Sequence, residues 1–498
     1  MKKKIKKPIQ YGEWTPISKL GNGGNGEVWK CRDKTGQIGA IKLLKSIRPK
    51  SYERFLDEVK TIEANSDIEG ILPIIDKFLP EEIEHANPYY VMPVAETAEK
   101  QIFNKGIEEK VNAIIQVAET LKELHSRGYS HRDIKPQNIL FYEDRFCLAD
   151  FGLVDYTDKK DVSNKNEEIG AKWTIAPEMK RISSSANGLM ADVYSLAKTL
   201  WIILTENKKG FDGQYSTNSI IELKKFYPRV YTSPIDDILI SSTDNDPSKR
   251  PEIGEFIQQL NHWKELNRNF EKKNKHQWLE VQTILFPAST PNTVIWTDLY
   301  DIIDVLKLAC SFDNLNHMFY PTGGGLDLED VRISHEKGCI ELDFQLIDIV
   351  KPKRLIFESF GADPEWNYFR LELDDLEPSH LYDPDSLPDI PSAAYMEELS
   401  ELSPGQYFDY EILNNRSDYV DEYPITDKSR HVSRWFKGAF VIFNKTSTYN
   451  RTPSTYDARH EQMSTEEFRD YIQRAVDHYR SVGDPLPGRR RQMIDRSA

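Results

Sequence analysis

Between Trp14 and about Ile47, apolar and polar positions alternate with the period of a strand. "EVWKCRD" alternates, "KTG" turns the chain, and "QIGAIKLLK" alternates again, which predicts a glycine-turn hairpin followed by another strand. "SYERFLDEVKTIEAN" changes period, with Phe55, Val59 and Ile62 at helical spacing. "GILPIID" and "YYVMPVAE" read as further strands, so residues 11–95 predict a small sheet with one helix. Helical periods then take over. Lys110 to Gly128 places Val111, Ile114, Ile115, Ala118, Leu121 and Leu124 on one face, with Gly128 as C-cap. "ADVYSLAKTLWIILTE" is apolar around most of its circumference and predicts a buried central helix. Residues 262–275 are polar and helical and read as a connection. Beyond them "CIELDFQLIDIV", "RLIFESF", "NYFRLEL" and "RWFKGAFVIFNK" read as strands of an antiparallel sheet. Leu376 to Pro391, rich in Pro and Asp, reads as a loop. Ser464 and Glu467 have capping-box spacing ahead of an amphipathic helix.

Composition divides the chain the same way. The 498 residues suggest two to four domains, and 39% hydrophobic content allows packed cores. No apolar run reaches the roughly 20 residues of a membrane helix. The opening "MKKKIKKPIQ" has no apolar stretch behind its charges, so it reads as a solubilising basic tail rather than a secretory signal. Cys31, Cys147, Cys310 and Cys339 stand far apart, which argues against a disulfide framework or a zinc site and for a reduced, cytoplasmic protein. The net charge of −15 is uneven: residues 275–498 carry about 39 acids against 23 bases, while the rest is almost neutral. Two different units are implied, and nucleic acid is an unexpected partner for the acidic one.

Six short signals then occur in one order within about 160 residues. They are Gly21-x-Gly23-x-x-Gly26-x-Val28, Lys42 in "AIKLL", Glu58 in the next helix, "HRDIKPQN" from His131 to Asn138, "DFG" from Asp150 to Gly152, and "APE" from Ala176 to Glu178. A glycine motif alone is weak, since glycine occurs in every kind of turn. The GKS/T of a P-loop is absent, and these glycines lead into a strand rather than the helix of a dinucleotide fold. The ordered set closely resembles the eukaryotic-type protein kinase family over roughly residues 11–265.

The resemblance implies a bilobal protein kinase fold, with a β-sheet N-lobe at 11–95 and a helical C-lobe at 96–265; the strand and helix patterns beyond it read as a separate α+β domain, so the whole chain is classed α+β. The remaining boundaries are a basic tail at 1–10, a linker at 266–275, the second domain at 276–485 and a tail at 486–498. The resemblance also implies transfer of the γ-phosphoryl of ATP to Ser/Thr hydroxyls of protein substrates, with autophosphorylation. Glycines 21, 23 and 26 let backbone N–H groups approach phosphate without Cβ clashes. Lys42 offers a point charge to the α/β-phosphates and Glu58 holds that lysine. Asn138 and Asp150 supply hard oxygens for Mg²⁺, with Mn²⁺ able to take the same ligands. Asp133 is implied as the proton acceptor, and Lys135 as the neutraliser of the transferring group. Leu20, Val28 and Ala40 would wall the adenine, Met92 would stand behind it, and Pro93 C=O and Ala95 N–H would bond it. Phe151 would stack with Ile62 and His131. Glu178 and Arg250 resemble a buried ion pair, and Asp192 the brace of the catalytic loop.

Two departures from the family pattern stand out. Asn25 replaces an aromatic cap over the phosphates, so the loop's grip must come mainly from its backbone. Ala171 stands where serine/threonine-specific members carry threonine, and Thr174 is not an automatic substitute. Arg132 before Asp133 implies control by a negative group. A phosphorylated Tyr156, Thr157 or Ser163 would supply it, or Glu167 or Glu168 permanently; the sequence leaves these open. Intact Lys42, Asp133, Asn138 and Asp150 argue against the alternative, a pseudokinase scaffold acting by binding. The second half resembles no family here. Its expected roles are sensing a trigger, docking a substrate or restraining the kinase, and its acidic stretches read as solvated faces.

Overall fold

The computed structural model describes residues 10–22, 26–44, 48–81, 87–156, 173–181, 186–312, 314–321, 324–376, 396–404, 406–410, 430–444 and 463–485. Gly23, Asn25, Thr157, Ser163, Glu167, Glu168, Ala171, both chain ends and most of the 376–391 stretch lie outside them. Two compact units divide the chain, Met1–Glu265 and Leu266–Ala498.

The first unit opens with β1 (Thr15–Asn22), β2 (Gly26–Arg32) and β3 (Ile38–Leu44), then α1 (Pro49–Ala64), β4 (Asp76–Phe78) and β5 (Tyr89–Met92). The strands form one antiparallel sheet in the order β1-β2-β3-β5-β4. "GILPIID" is not the strand its apolar run predicts. Pro73 has no N–H to give a ladder, so Ile71 makes only an isolated bridge to Leu148 and β4 begins at Asp76. Phe55, Val59 and Ile62 of α1 are buried, as their spacing requires.

Next come β6 (Glu96–Thr97), α2 (Ala98–Ile102), α3 (Ile107–Ser126), and the hairpin β7 (Ile139–Tyr142) with β8 (Arg145–Leu148). Glu143 and Asp144 both take positive φ at its tip, the backbone that matches a two-residue turn to twisted strands. The helices α4 (Pro177–Arg181), α5 (Gly188–Thr205), α6 (Ser233–Ser242) and α7 (Ile253–Arg268) follow. Among the described residues α5 alone is long and apolar enough to cross a membrane, but most of it is buried inside this unit. Its Asn187 cap accepts from the N–H groups of Leu189 and Met190. Val193, Leu196, Leu200 and Ile203 join one core with Val117 and Leu121 of α3 and Phe256 and Trp263 of α7. The unit is therefore a sheet lobe followed by a helical lobe.

The second unit begins with α8 (Phe270–Leu285), β9 (Thr293–Trp296) and α9 (Leu299–Cys310). Strands then dominate: β10 (His317–Phe319), β11 (Gly325–Asp327), β12 (Asp330–Ile333), β13 (Ile340–Asp343), β14 (Ile347–Val350), β15 (Pro352–Glu358), β16 (Tyr368–Leu373), β17 (Met396–Ser403), β18 (Gln406–Asp409), β19 (Arg430–Trp435) and β20 (Gly438–Phe443). The last helix is α10 (Thr465–Val482). Here the single antiparallel sheet of the sequence reading is corrected. There are two six-stranded sheets, β11-β10-β20-β16-β15-β9 and β12-β13-β14-β19-β17-β18, and β14 pairs with β19 in parallel. "CIELDFQLIDIV" is a hairpin folded at Gln345, and "RWFKGAFVIFNK" leaves one sheet and enters the other at Gly438, whose φ of 120° suits glycine. Alternation shows which face a residue takes but not which strand it joins.

Ser464 and Glu467 form the predicted reciprocal cap of α10. The helix seats Phe468, Ile472, Ala475 and Val476 among Phe319, Tyr368 and Phe443. Phe468 meets the Tyr368 ring edge-on at 5.0 Å, and the Arg370 guanidinium lies 4.9 Å from its centre. Phe468→Ala is expected to cost about 3–5 kcal/mol of this unit's stability, read from urea unfolding of the full chain.

Candidate active site

The site grows from one ladder in the first sheet. Val28 of β2, Lys42 of β3 and Tyr90 of β5 stand opposite one another in register. Side chains opposite one another share a face, so Lys42 points with Tyr90 toward the buried side of α1. There Glu58, fully buried, receives the Lys42 Nζ at 2.5 Å. The same ammonium reaches Asp150 Oδ1 at 2.9 Å. Burial alone would depress the Lys42 pKa, but Glu58 and then the other acids beside it hold it well above its ordinary value. Burial pushes the Glu58 carboxyl up against the pull of Lys42. The Lys42 charge holds Asp150 below its ordinary value. A cation shared by two carboxylates is thus fixed between β3, α1 and the segment that carries Asp150.

Asp192 of α5, fully buried, shapes the segment that carries Asp133. Its carboxylate accepts the backbone N–H groups of His131 and Arg132, each at 2.7 Å, and meets His125 Nε2 at 3.1 Å. Arg132 sits at φ 65°, a backbone that bulky residues rarely adopt, and Asp192 supports it. Asp150 is held in the same region at φ 66°. Such strain collects where a side chain must be aimed.

Asp133 Oδ2 receives Lys135 Nζ at 2.6 Å and Asn138 Nδ2 at 2.9 Å. Asn138 also donates to the Asp133 carbonyl at 2.8 Å, so its amide nitrogen is turned inward and its carbonyl oxygen Oδ1 is left as the donor atom of the pair. Asp150 engages Lys42 through Oδ1, and its side chain stays partly exposed. Two hard oxygen donors of this kind fit Mg²⁺. His131 lies edge-on to Phe151 at 5.0 Å and bonds the Ala149 carbonyl at 3.2 Å, the packing role read from its sequence position. Phe151 and Ile62 belong to the same core.

At the upper wall, Ala40 is buried and opposite Met92, while Leu20 is exposed and Gly21 lies near the end of β1. Any Cβ at Gly26 would meet the Leu43 carbonyl oxygen at 2.9 Å, so the second strand of the hairpin needs glycine there. Pro93 and Ala95 follow β5 half-buried. Across the helical lobe, Arg250 grips Glu178 with two bonds of 2.6 and 3.0 Å and also holds the Met190 and Asp244 carbonyls.

Two residues that sequence reasoning passed over belong to the site. Tyr90 donates its hydroxyl to Glu58 Oε1 at 2.9 Å. Asp155 receives the Arg132 guanidinium, and its backbone pairs with Ser130 by two bonds of 2.9 Å. Neither carries a local signal: Tyr90, two before Met92, reads as core, and Asp155, five after Asp150, as a turn acid. Tyr156 rests half-buried against Tyr129, with rings 5.3 Å apart.

A family model described as the protein kinase domain matches residues 14–279, just over half of the chain. The chain belongs to the protein kinase family. Cyclin-dependent kinase F-4 of Oryza sativa subsp. japonica is 26% identical, over 49% of this kinase and 60% of its own length. The serine/threonine-protein kinase AfsK of Streptomyces griseus is 26% identical, over 46% of this kinase and 28% of its own length. Serine/threonine-protein kinase 10 of Danio rerio is also 26% identical, over 49% and 26%. This kinase thus spans less than two thirds of the length of these relatives.

Removing Arg250 as Arg250→Met would leave the largely buried Glu178 carboxylate without its guanidinium. The expected loss is about 3–5 kcal/mol, measured by urea unfolding.

Proposed function

We propose that this kinase transfers the γ-phosphoryl of ATP to serine or threonine hydroxyls of protein substrates. The observation that carries the reading is the arrangement of Lys42 between Glu58 and Asp150, with Asp133 held by Lys135 and Asn138. Lys42 would grip the α/β-phosphates, and Asn138 Oδ1 and Asp150 would hold Mg²⁺. Bound there, the metal supplies positive charge against the phosphate oxygens. Asp133 Oδ2 would orient the acceptor hydroxyl and take its proton as the hydroxyl oxygen bonds to the γ-phosphorus. The bond from that phosphorus to the β-bridging oxygen breaks, and ADP leaves. Lys135, already on Asp133, would also neutralise the moving phosphoryl. Lys135 and the "APE" segment favour a protein acceptor, and autophosphorylation belongs to the same proposal. The scaffold alternative is disfavoured by an intact set of chemical residues.

Asp155 bears on control. Arg132, the residue expected to await a phosphate, already has a carboxylate from the chain itself. This supports activity without phosphate in the activation segment. We assign the second unit a sensing, docking or regulatory role, and four free thiols, three of them buried, support a cytoplasmic setting.

Labelled ATP with Mg²⁺ and a generic protein acceptor tests the reading. The wild type should incorporate label, and Asp133→Ala should lose at least about 100-fold, the scale of a positioned base. Equal labelling by both would sink the assignment. Phosphatase-treated enzyme should start transfer without a lag, whereas Asp155→Asn should be slower.

A further inference from the structure

The cation of Lys42 is divided between Glu58 at 2.5 Å and Asp150 at 2.9 Å. A buried carboxylate that shares its only ion needs another donor. Glu58 Oε2 has no hydrogen-bond partner among the described residues. The second donor to Oε1 is the Tyr90 hydroxyl at 2.9 Å. Tyr90 is buried, stands directly opposite Lys42 in the β3–β5 ladder, and packs its ring 5.5 Å from Phe55 of α1. It also lies two residues before Met92, where β5 ends. One side chain therefore joins the lysine strand, the glutamate helix and the strand leading to Pro93. Burial, with Glu58 beside it, raises the Tyr90 phenol well above its ordinary value, so the hydroxyl keeps its proton and remains a donor.

We propose that Tyr90 is a positioning residue for the nucleotide site: its hydroxyl, bonded to Glu58 Oε1, holds α1 against the sheet and keeps Lys42 aimed at the phosphates before nucleotide arrives. The proposal rests on the kinase reading above and deepens it. Without the hydroxyl, Glu58 depends on a lysine for which Asp150 competes. The helix that carries Glu58 then has one polar tie fewer to the sheet. Removing the hydroxyl thus acts on nucleotide binding through Glu58, not through direct contact.

A double-mutant cycle on MgADP affinity, measured by calorimetry on the full chain, tests this without turnover. Tyr90→Phe keeps the ring and removes the oxygen, and should weaken MgADP roughly tenfold, the scale of a hydrogen bond to a charged group. In a Glu58→Gln background the same change should alter affinity less than about twofold, because coupled residues are not additive. Tyr90→Met, which also lacks the hydroxyl, should weaken binding like Tyr90→Phe. Affinity within twofold of wild type in Tyr90→Phe, or an equal loss in both backgrounds, would overturn the proposal. A wild type that binds no MgADP would instead count against the kinase reading. In that case hydrogen exchange of α1 in the nucleotide-free protein still decides: faster exchange from Phe55 to Ile62 in Tyr90→Phe supports the positioning role, and unchanged exchange refutes it.

Discussion

An ammonium and a carboxylate with almost no water contact are costly to bury, and the site depends on their pairing being worth that cost. Lys42 and Glu58 come from different elements, a strand and a helix sixteen residues apart, so their contact fixes where the helix lies on the sheet. Asp150, in the segment after β8, reaches the same ammonium from 108 residues beyond Lys42. With two acids and one base the cluster carries a net negative charge before any ligand. A metal cation beside Asp150 would relieve it, while the lysine stays charged to meet phosphate. The same charges that make the cluster expensive to fold make it suited to a polyanion bound with its cation. Well-packed apolar residues are often at least as stable as a buried ion pair, so stability alone does not account for this trio.

The second constraint is on the backbone. Asp192 spends its carboxylate on two successive N–H groups, those of His131 and Arg132, and so holds a left-handed residue at Arg132. That turn places Asp133 in reach of Lys135 and Asn138 and sends the Arg132 guanidinium to Asp155. Asp192 is itself fixed because α5 is buried on nearly every side. The rigidity of the apolar helix therefore passes to the catalytic segment through one carboxylate. In the proposed reaction, Asp133 is the first side chain of this relay to meet a reacting atom.

What the sequence made legible follows from how each feature is encoded. Lys42, Asp133, Asn138 and Asp150 stand at fixed spacings, so their order could be read directly, and the structure pairs Lys42 with Asp150 and Asn138 with Asp133. The helix faces of α3 and α5 and the cap of α10 are local patterns, and they too were readable. Tyr90 and Asp155 were not. A tyrosine in an apolar strand reads as core, and its bond to Glu58 exists only once β5 lies beside β3. Asp155 reads as a turn acid until its backbone pairs with Ser130 and brings it to Arg132. The second unit was harder for the same reason. Strand alternation survives any pairing, so neither the two sheets nor the parallel β14–β19 ladder could be read from it.

The acidic surplus of the second unit also changes meaning once folded. Taken as composition, those acids suggest a solvated face. Several are instead inside: Glu341, Asp348, Glu358 and Glu401 are all buried. Glu341 of β13 accepts from Arg332 of β12 and, through both oxygens, from Arg430 of β19, which also grips Glu401 of β17. This chain of ion pairs links β12, β13, β19 and β17, passing over β14, and favours one register, because a one-residue slip would turn the alternating charges to the other face. Among the described residues no arginine pairs with Asp348. Burial pushes its carboxyl up to about 7, so it sits near the boundary between charged and neutral at ordinary pH. The charge that composition assigns to this unit is therefore partly cancelled within it. The acidic residues act there as pairing instructions for strands whose apolar alternation would not by itself choose between partners.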